Sequence, residues 1–559
     1  MSQSVTQVTP DGSSIWLPGI VACIARHLPL NELASTMRLI DKATSDQFAT
    51  HRTLRLSLPS PIHVFRERWG RPGAFRAISR NQRLQLLCLT AASGSVANLE
   101  VALANAGLHL RCEMLAAAAA AGQLDICKVL RARRCPWGRS LSAAAKAGHR
   151  HVCEWLLASG CPFHWHVVCS AARGGREDLM QWLLTELQGR PRDDVYDLYD
   201  LCWSLLKAAA EYLSLAALQR LWQQLMAGHH GSELQQHLVQ FDESDRSDIV
   251  AAAARSTTPD WQAKVEWLEG LGYPRKARAC KSAVRAGNGD AVVARLQWLR
   301  GRGYPLDAGV AEAAVSLGNL AALRFLVEQV GVRPTGDQLP VADAARQGHL
   351  AVLQYLHASG LPVNTLSVAV EAARAGLLPL VAWAVEGLGV APADGAASLL
   401  DCAAESGNLE LMAWLYDRGW ALGPVAIPNG AASGCEEVLE WLVERGCPFP
   451  LDGDAYLGAA RNGDLAMLRC LHRLGCPWGR PGEMLADCIR ISMVSDAVLQ
   501  CLLDLGFPEP DWDAAVQLVE DRARMNPWEH HAWVLARLGE QRRRRRLGEE
   551  QQRRPKGPS

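Results

Sequence analysis

Five stretches of this chain are versions of one another. Gly148 opens GHRHVCEWLLASGCPF, Gly348 opens GHLAVLQYLHASGLPVN, Gly407 opens GNLELMAWLYDRGW, Gly434 opens GCEEVLEWLVERGCPF and Gly463 opens GDLAMLRCLHRLGCPW. Recurrence at a fixed period constrains a fold more than composition does, because each copy must be one small unit that cannot bury its own apolar face and must stack on its neighbours. A large residue stands seven positions after the anchoring glycine, as Trp155, Phe325, Tyr355, Trp383, Trp414 or Trp441, and a second glycine stands twelve after it, as Gly160, Gly360, Gly419, Gly446 or Gly475. The anchors Gly287, Gly318, Gly348, Gly376, Gly407, Gly434 and Gly463 are 31, 30, 28, 31, 27 and 29 residues apart, and earlier anchors are Gly94, Gly122, Gly148 and Gly174 or Gly175.

Each unit reads as two helices. The alanine-rich segment before the anchor predicts a short helix whose inward side chains are small enough for close packing. The anchor glycine ends it with positive φ, where a Cβ is disfavoured. A second helix of about ten residues follows, with apolar residues such as Val152, Trp155 and Leu156 on one face. The second glycine stops that helix, and a proline soon after prevents its continuation. Gly148, Trp155, Gly160, Gly407, Trp414, Gly419, Gly434, Trp441 and Gly446 are therefore structural repeat residues, with Trp441 expected to be buried between adjacent outer helices as Trp155 and Trp414 are. The middle of the chain is irregular: Leu213 stands where an anchor glycine is expected, and 193–200 and 228–248 read as polar insertions.

The unit resembles the ankyrin repeat, with both glycines of Gly348–Asn364 at that family's spacing; the likeness spans roughly Gln82 to Pro508. The Thr-Pro-Leu-His motif of the family's inner helix is missing, and the period falls short of the family's ~33 residues. The β-hairpin finger is therefore expected to shrink to a tight turn.

Ahead of the array, WLPGIVACIARHLPLNELASTMRLIDKATSDQF runs from Trp16 to Phe48. Leu17-Pro18 opens a helix with Ile20, Val21, Ile24 and Leu28 on one face; Pro29 breaks it, and a second helical stretch begins near Leu33. This spacing resembles an F-box, although the family's usual late Trp is replaced by Phe48. An F-box followed by short ankyrin-like repeats resembles a family abundant in green algae. The resemblance implies that Leu17, Pro18, Ile20, Val21, Ile24, Leu28, Pro29 and Leu33 bind the small adaptor subunit of a cullin–RING (SCF-type) ubiquitin ligase while the solenoid holds an unknown substrate. The other reading is a scaffold without a ubiquitin role, in which this segment only caps the array over Leu86 and Leu89.

The expected fold is all-α: a solenoid of stacked helix–turn–helix, degenerate ankyrin-type repeats with a small N-terminal helical module. Its divisions are a disordered 1–14, the F-box-like 15–50, a basic connector 51–82, the repeats 83–510, a C-terminal cap 511–540 and a basic tail 541–559. The connector is notable for charge, with eight arginines and one acid, Glu67, between Arg52 and Arg83. It could steer acidic partners or serve as a solvated linker.

Composition narrows function mostly by exclusion. Lys+Arg and Asp+Glu are both 58, so the formal charge is zero and nucleic acid is disfavoured as a partner. The tail's five consecutive arginines leave nucleic-acid binding as a third reading, with steep salt dependence as its mark. The polar start lacks a signal peptide's apolar run and no apolar run is long enough for a bilayer, so a cytoplasmic protein, or a nuclear one given the tail, is expected, with no membrane partner. The 17 cysteines are scattered, several in a repeated Gly-Cys-Pro, and read as reduced thiols. No nucleophile elbow, phosphate-binding loop or HExxH occurs, so no catalytic residue, cofactor or metal is assigned and no enzyme is expected. Cys161, His164, His166 and Cys169 have metal-ligand types at tight spacing but fall on ordinary repeat positions. CPWGR, at Cys135–Arg139 and Cys476–Arg480, reads as a structural turn, and Trp165 as a weak candidate for exposed contact. The expected partners are proteins.

Overall fold

The repeat written in the sequence is the repeat in space. The computed structural model describes residues 18–188, 198–227, 241–287, 289–334, 340–361, 363–392, 399–480, 486–488, 495–507, 512–525, 536, 538–540 and 543. Inner helix Ser140–Ala147 ends on Gly148 at φ 92°, where the amides of Gly148 and His149 both return to the Ala144 carbonyl at 3.0 Å. Outer helix Arg150–Ala158 then runs back along it with Val152, Cys153 and Leu156 wholly buried. Burying Leu156 alone is worth roughly 2 kcal/mol. Gly160, at φ 85°, lets the next amide, that of Cys161, return to the Leu156 carbonyl, and Pro162 keeps the helix from resuming.

Neighbouring inner helices pack directly on one another through alanines with no exposed surface, among them Ala118 and Ala119, Ala144 and Ala145, Ala171 and Ala172, and Ala372 and Ala373. Small side chains bring the backbones together, and the larger Leu and Val residues of the outer helices fill the layer behind them. This makes one continuous core from Phe65 to the last described helices. The architecture is thus an all-helical repeat solenoid. Among the described residues no strand forms, and only a single isolated bridge joins Leu108 to Asp464. None of the described helices is long and apolar enough to cross a membrane.

Adjacent units are also tied by polar rungs. In several units the residue after the anchor glycine starts the outer helix and reaches back to the preceding turn. His149 contacts the Ala120 carbonyl at 3.1 Å, Asn319 the Gly287 carbonyl at 3.0 Å and Asn408 the Gly376 carbonyl at 3.0 Å. Where the anchor glycine is missing, cations take over. Lys264, wholly buried, donates to the Ala210 carbonyl at 3.1 Å and to Ser256 and Thr258 at 2.9 and 2.7 Å. Arg295 donates to the carbonyls of Ala254 and Ser256 at 2.6 and 3.1 Å. Both place positive charge at the C-terminal end of an inner helix, where free carbonyls and the helix dipole favour it. The irregular middle therefore stays in the array: helices Leu198–Tyr212, Leu215–Ala227, Glu243–Ala254 and Trp261–Gly270 continue the alternation.

Two expectations are modified. Trp441 is buried, with Arg445 stacked 3.8 Å from its ring and Tyr416 against its edge, but Trp155 and Trp414 are only half-buried. The seventh position lies at the flank of the outer helix and is only partly covered; Arg418, at the end of the same helix, lies 3.7 Å from the Trp414 ring. Residues 51–82 are also more than a linker. Helix α4 (Ile62–Trp69; the first three, α1 to α3, span Pro18–Ala25, Leu30–Ser35 and Lys42–Gln47) lies against the first unit's outer helix, and Phe65 and Phe75 enter the main core.

Candidate functional site

The array curves until its first unit meets the units of Gly407 to Gly463. Helix α5 (Arg80–Ala92) is the inner helix of the first unit and α6 (Val96–Asn105) its outer helix. The start of α5 lies on the anchor turns of Gly407, Gly434 and Gly463, more than three hundred residues away in sequence. The His109 amide donates to the Gly463 carbonyl at 3.0 Å, the Ala466 amide to Gly107 at 3.1 Å and the Glu437 amide to Arg76 at 3.3 Å. The edges that join are unlike. The first unit contributes its loop edge and the distant units contribute their anchor-turn edge, so the array closes as a one-turn coil.

Charge builds this seam. Arg83 is wholly buried and its guanidinium is forked onto the equally buried Asp464, with one arm at 3.0 Å from Oδ1. It also donates to the carbonyls of Ala106 at 2.9 Å and Gly434 at 2.7 Å. Asp464 occupies the rung position after an anchor glycine, where His149, Asn319 and Asn408 stand in other units. It also caps its own helix by accepting the Met467 amide at 3.0 Å. Arg80 donates to the Asn462 carbonyl at 3.1 Å. Arg76 pairs with Glu440 and lies 3.8 Å from Glu436, and Arg473 bonds Glu440 at 2.6 Å. Burial pushes the Glu436 carboxyl above its usual range despite the charges of Arg83, Arg473 and Arg76. For Glu440 burial pushes the same way, but direct hydrogen bonds from Arg473 and Arg76 outweigh it and the carboxyl falls below the usual range. The arginine-rich stretch thus has an acidic partner inside the chain.

Glu436, Glu440 and Cys470 also lie close enough together to hold a metal ion. The chemistry does not fit one: two guanidinium groups already engage the carboxylates, and burial lifts the Cys470 thiol to about 12. Cys161 and Cys169 lie in the main core, whereas His164 and His166 are exposed, so those four do not face a common point. Trp165 is half-buried against His166. The two CPWGR turns pack inward: Trp137 lies under Arg131 at 3.6 Å and Trp478 stacks on Tyr456 at 3.9 Å.

The N-terminal module is a separate body. Val21, Ala25, Leu33, Met37 and Phe48 form a small core of their own, with Leu28 against it, that does not merge with the main core. Asn31 ties it to the following segment, donating to the carbonyls of Arg55, Leu58 and Pro59 at 2.9–3.1 Å and accepting the Arg55 amide at 2.8 Å. The residues assigned to adaptor binding divide. Val21 and Leu33 face inward, Leu28 is half-buried and Pro29 is exposed. Ile20 is 45% and Ile24 38% exposed, one turn apart on α1. Val21 and Leu33 are thus core residues and cannot form a contact surface, because a module this small needs them for its own interior. Pro18 begins α1, while Leu17, residues 1–14, the insertions at 193–197 and 228–240, and the tail apart from 543 lie outside the described residues.

No protein-family model matches the chain, and no curated protein does. Among solved structures it is similar to the pentatricopeptide repeat protein PPR10 from maize, at 13% identity over 93% of this chain and 87% of that chain, with a TM-score of 0.24. It is similar also to PPR10 in complex with an 18-nucleotide psaJ RNA element, at 13% identity over 93% and 92% of the two chains, with a TM-score of 0.26. The exclusion of nucleic acid from the partner classes is corrected here. In this chain charge is segregated by position, with arginines gathered between Arg52 and Arg83 and carboxylates at Glu436, Glu440 and Asp464. A balanced total across 559 residues therefore describes none of its faces.

Proposed function

We propose that the chain is a binding scaffold: the coil of repeats holds one macromolecular partner and the N-terminal module docks a second protein. The observation that carries this is the module's construction. It has its own core, stays apart from the main one, and leaves Ile20 and Ile24 uncovered on one helical face. Contiguous exposed apolar surface marks partner sites, and these two side chains lie one turn apart on one helix. In line with the F-box resemblance, the partner assigned to that face is the adaptor subunit of a cullin–RING ligase, which makes the coil a substrate holder acting in the cytoplasm or nucleus and running no reaction of its own. The capping alternative has less support, because the first unit is covered by Phe65, Trp69 and Phe75, while residues 18–48 add nothing to the cluster containing Leu86.

The test combines association and stability on the same variants. Deleting residues 1–48 should abolish adaptor binding and leave the melting of the array unchanged. Ile20→Asp with Ile24→Asp should do the same without deletion, whereas Val21→Ala should loosen the module itself. No association by the intact protein removes the adaptor reading, and early melting of the first repeats after deletion restores the cap.

A further inference from the structure

We propose that the anchor-turn edge between Lys146 and Arg176 docks an acidic polypeptide segment of a partner. The inference rests on the scaffold reading of the coil and is independent of the N-terminal module. In the sector from Gly407 to Gly463 this edge is an interface already: a polypeptide lies along it, matched by charge, with Arg76, Arg80 and Arg83 on one side and Glu436, Glu440 and Asp464 on the other. Much earlier in the coil, at the turns of Gly148 and Gly175, the same edge is bare and its charge is reversed. Lys146, Arg173 and Arg176 are exposed, and none of them makes an ion pair among the described residues.

The three cations form one patch across two adjacent turns. The Arg176 side chain lies over the Gly148 turn, where an added Cβ would fall 2.7 Å from its Nε, and the Gly174 turn rests on the Lys146 backbone, where a Cβ would fall 1.8 Å from the carbonyl oxygen. His149 and His151 extend the patch toward Gly122. Of the neighbouring acids, Glu177 is held by Arg220 at 2.8 Å, Glu154 by Arg150 at 2.9 Å and Glu211 by Arg255, and Asp178, exposed in the first turn of the following helix, sets one negative charge against three cations. Lys146 and Arg173 sit in the last turn of their inner helices, where the dipole favours cations without satisfying their side-chain donors. The surface therefore has what the seam has, a row of turns to lie along and a complementary charge pattern, with the sign turned toward a carboxylate-rich occupant.

The experiment uses the full chain and a labelled poly-glutamate peptide as probe, with Lys146→Glu, Arg173→Glu and Arg176→Glu combined in one variant and the corresponding alanines in a second that guards against misfolding. Three partly exposed ion pairs together are worth about 1.4 kcal/mol or more, so the reversed variant should bind at least about tenfold more weakly. A poly-lysine probe should gain affinity for it. Adaptor association, measured on the same proteins, should not move, which separates failure here from failure of the module reading. Absence of poly-glutamate binding, or equal binding by parent and variants, overturns the proposal. Preferential binding of poly-uridylate at this edge, lost in the variants, overturns it in favour of nucleic acid.

Discussion

Replacing Arg83 with Met tests how the coil is held shut. Removing one partner of a buried ion pair costs about 3–5 kcal/mol, because the remaining charge stays in the low-dielectric interior without a counter-charge. Here the protein has an escape: the seam can part and give Asp464 back to water. The penalty should therefore appear as seam opening. The reporters are the amides of His109, Ala466 and Glu437, whose hydrogen bonds to Gly463, Gly107 and Arg76 exist only when the ends meet. At 1.4 kcal/mol per tenfold, their exchange should accelerate by roughly a hundredfold to several thousandfold. Amides within a distant inner helix such as Thr365–Arg374 should hardly change. Asp464→Asn keeps the helix cap and should do similar damage by stranding the arginine. The double variant should cost less than the sum, since it buries no lone charge. If either single variant costs under about 1 kcal/mol, or if exchange rises equally through the whole array, the reasoning fails, because the pair would then behave like an exposed one.

Four further outcomes follow from the same geometry. Trp441→Ala should cost about 3–5 kcal/mol, with exchange rising first in the C-terminal units and at the seam they carry, and uniform loss across the array would contradict it. Gly434→Ala should cost clearly more than Gly446→Ala in matched unfolding curves: both have positive φ, but a Cβ at 434 falls 2.5 Å from the Arg80 Cβ while 446 faces open space. Arg134, at φ 61°, stands where Gly475 stands in the second CPWGR unit, so Arg134→Gly should raise stability by about 0.5–1 kcal/mol, and a loss would mean its side chain matters more than its backbone. Burial lowers the Lys264 amine to about 8, so between that value and its unfolded 10.5 the unfolded chain binds more protons and this group adds stability as pH rises, by roughly 3 kcal/mol in all. Thiols such as Cys127 and Cys202, lifted by burial to about 12, act with the opposite sign there, so the measurement is the difference between parent and Lys264→Met, and identical pH slopes would refute it.

The unit was readable from sequence because it is local. Helix, glycine, helix and glycine fall within about thirty residues, and both glycines carry the positive φ that their positions demand, as Gly148 and Gly160 show. The seam was not readable for the converse reason. Arg83 and Asp464 are ordinary residues until curvature, summed over many small rotations between units, brings them together. Two traces existed in the sequence: an arginine-rich stretch with a single acid, Glu67, and an acid at a rung position that holds His149, Asn319, His349 or Asn408 in other units. The module gave a mixed result. Its helical breaks at Pro18 and Pro29 were visible, but which of Ile20, Val21 and Ile24 turns outward depends on the packing of three short helices. Lys264 escaped notice because a lysine within an outer helix normally reads as solvated.

A coil whose ends fit together also counts its own turns. An open solenoid can gain or lose a repeat anywhere along its length, since each unit answers only to its neighbours. In this chain a duplicated or deleted unit between Gly122 and Gly407 would shift Asp464 by one repeat's width past Arg83, and the wrong turn would arrive beneath the first helix. Length is therefore fixed by fit, as the number of staves is fixed in a barrel.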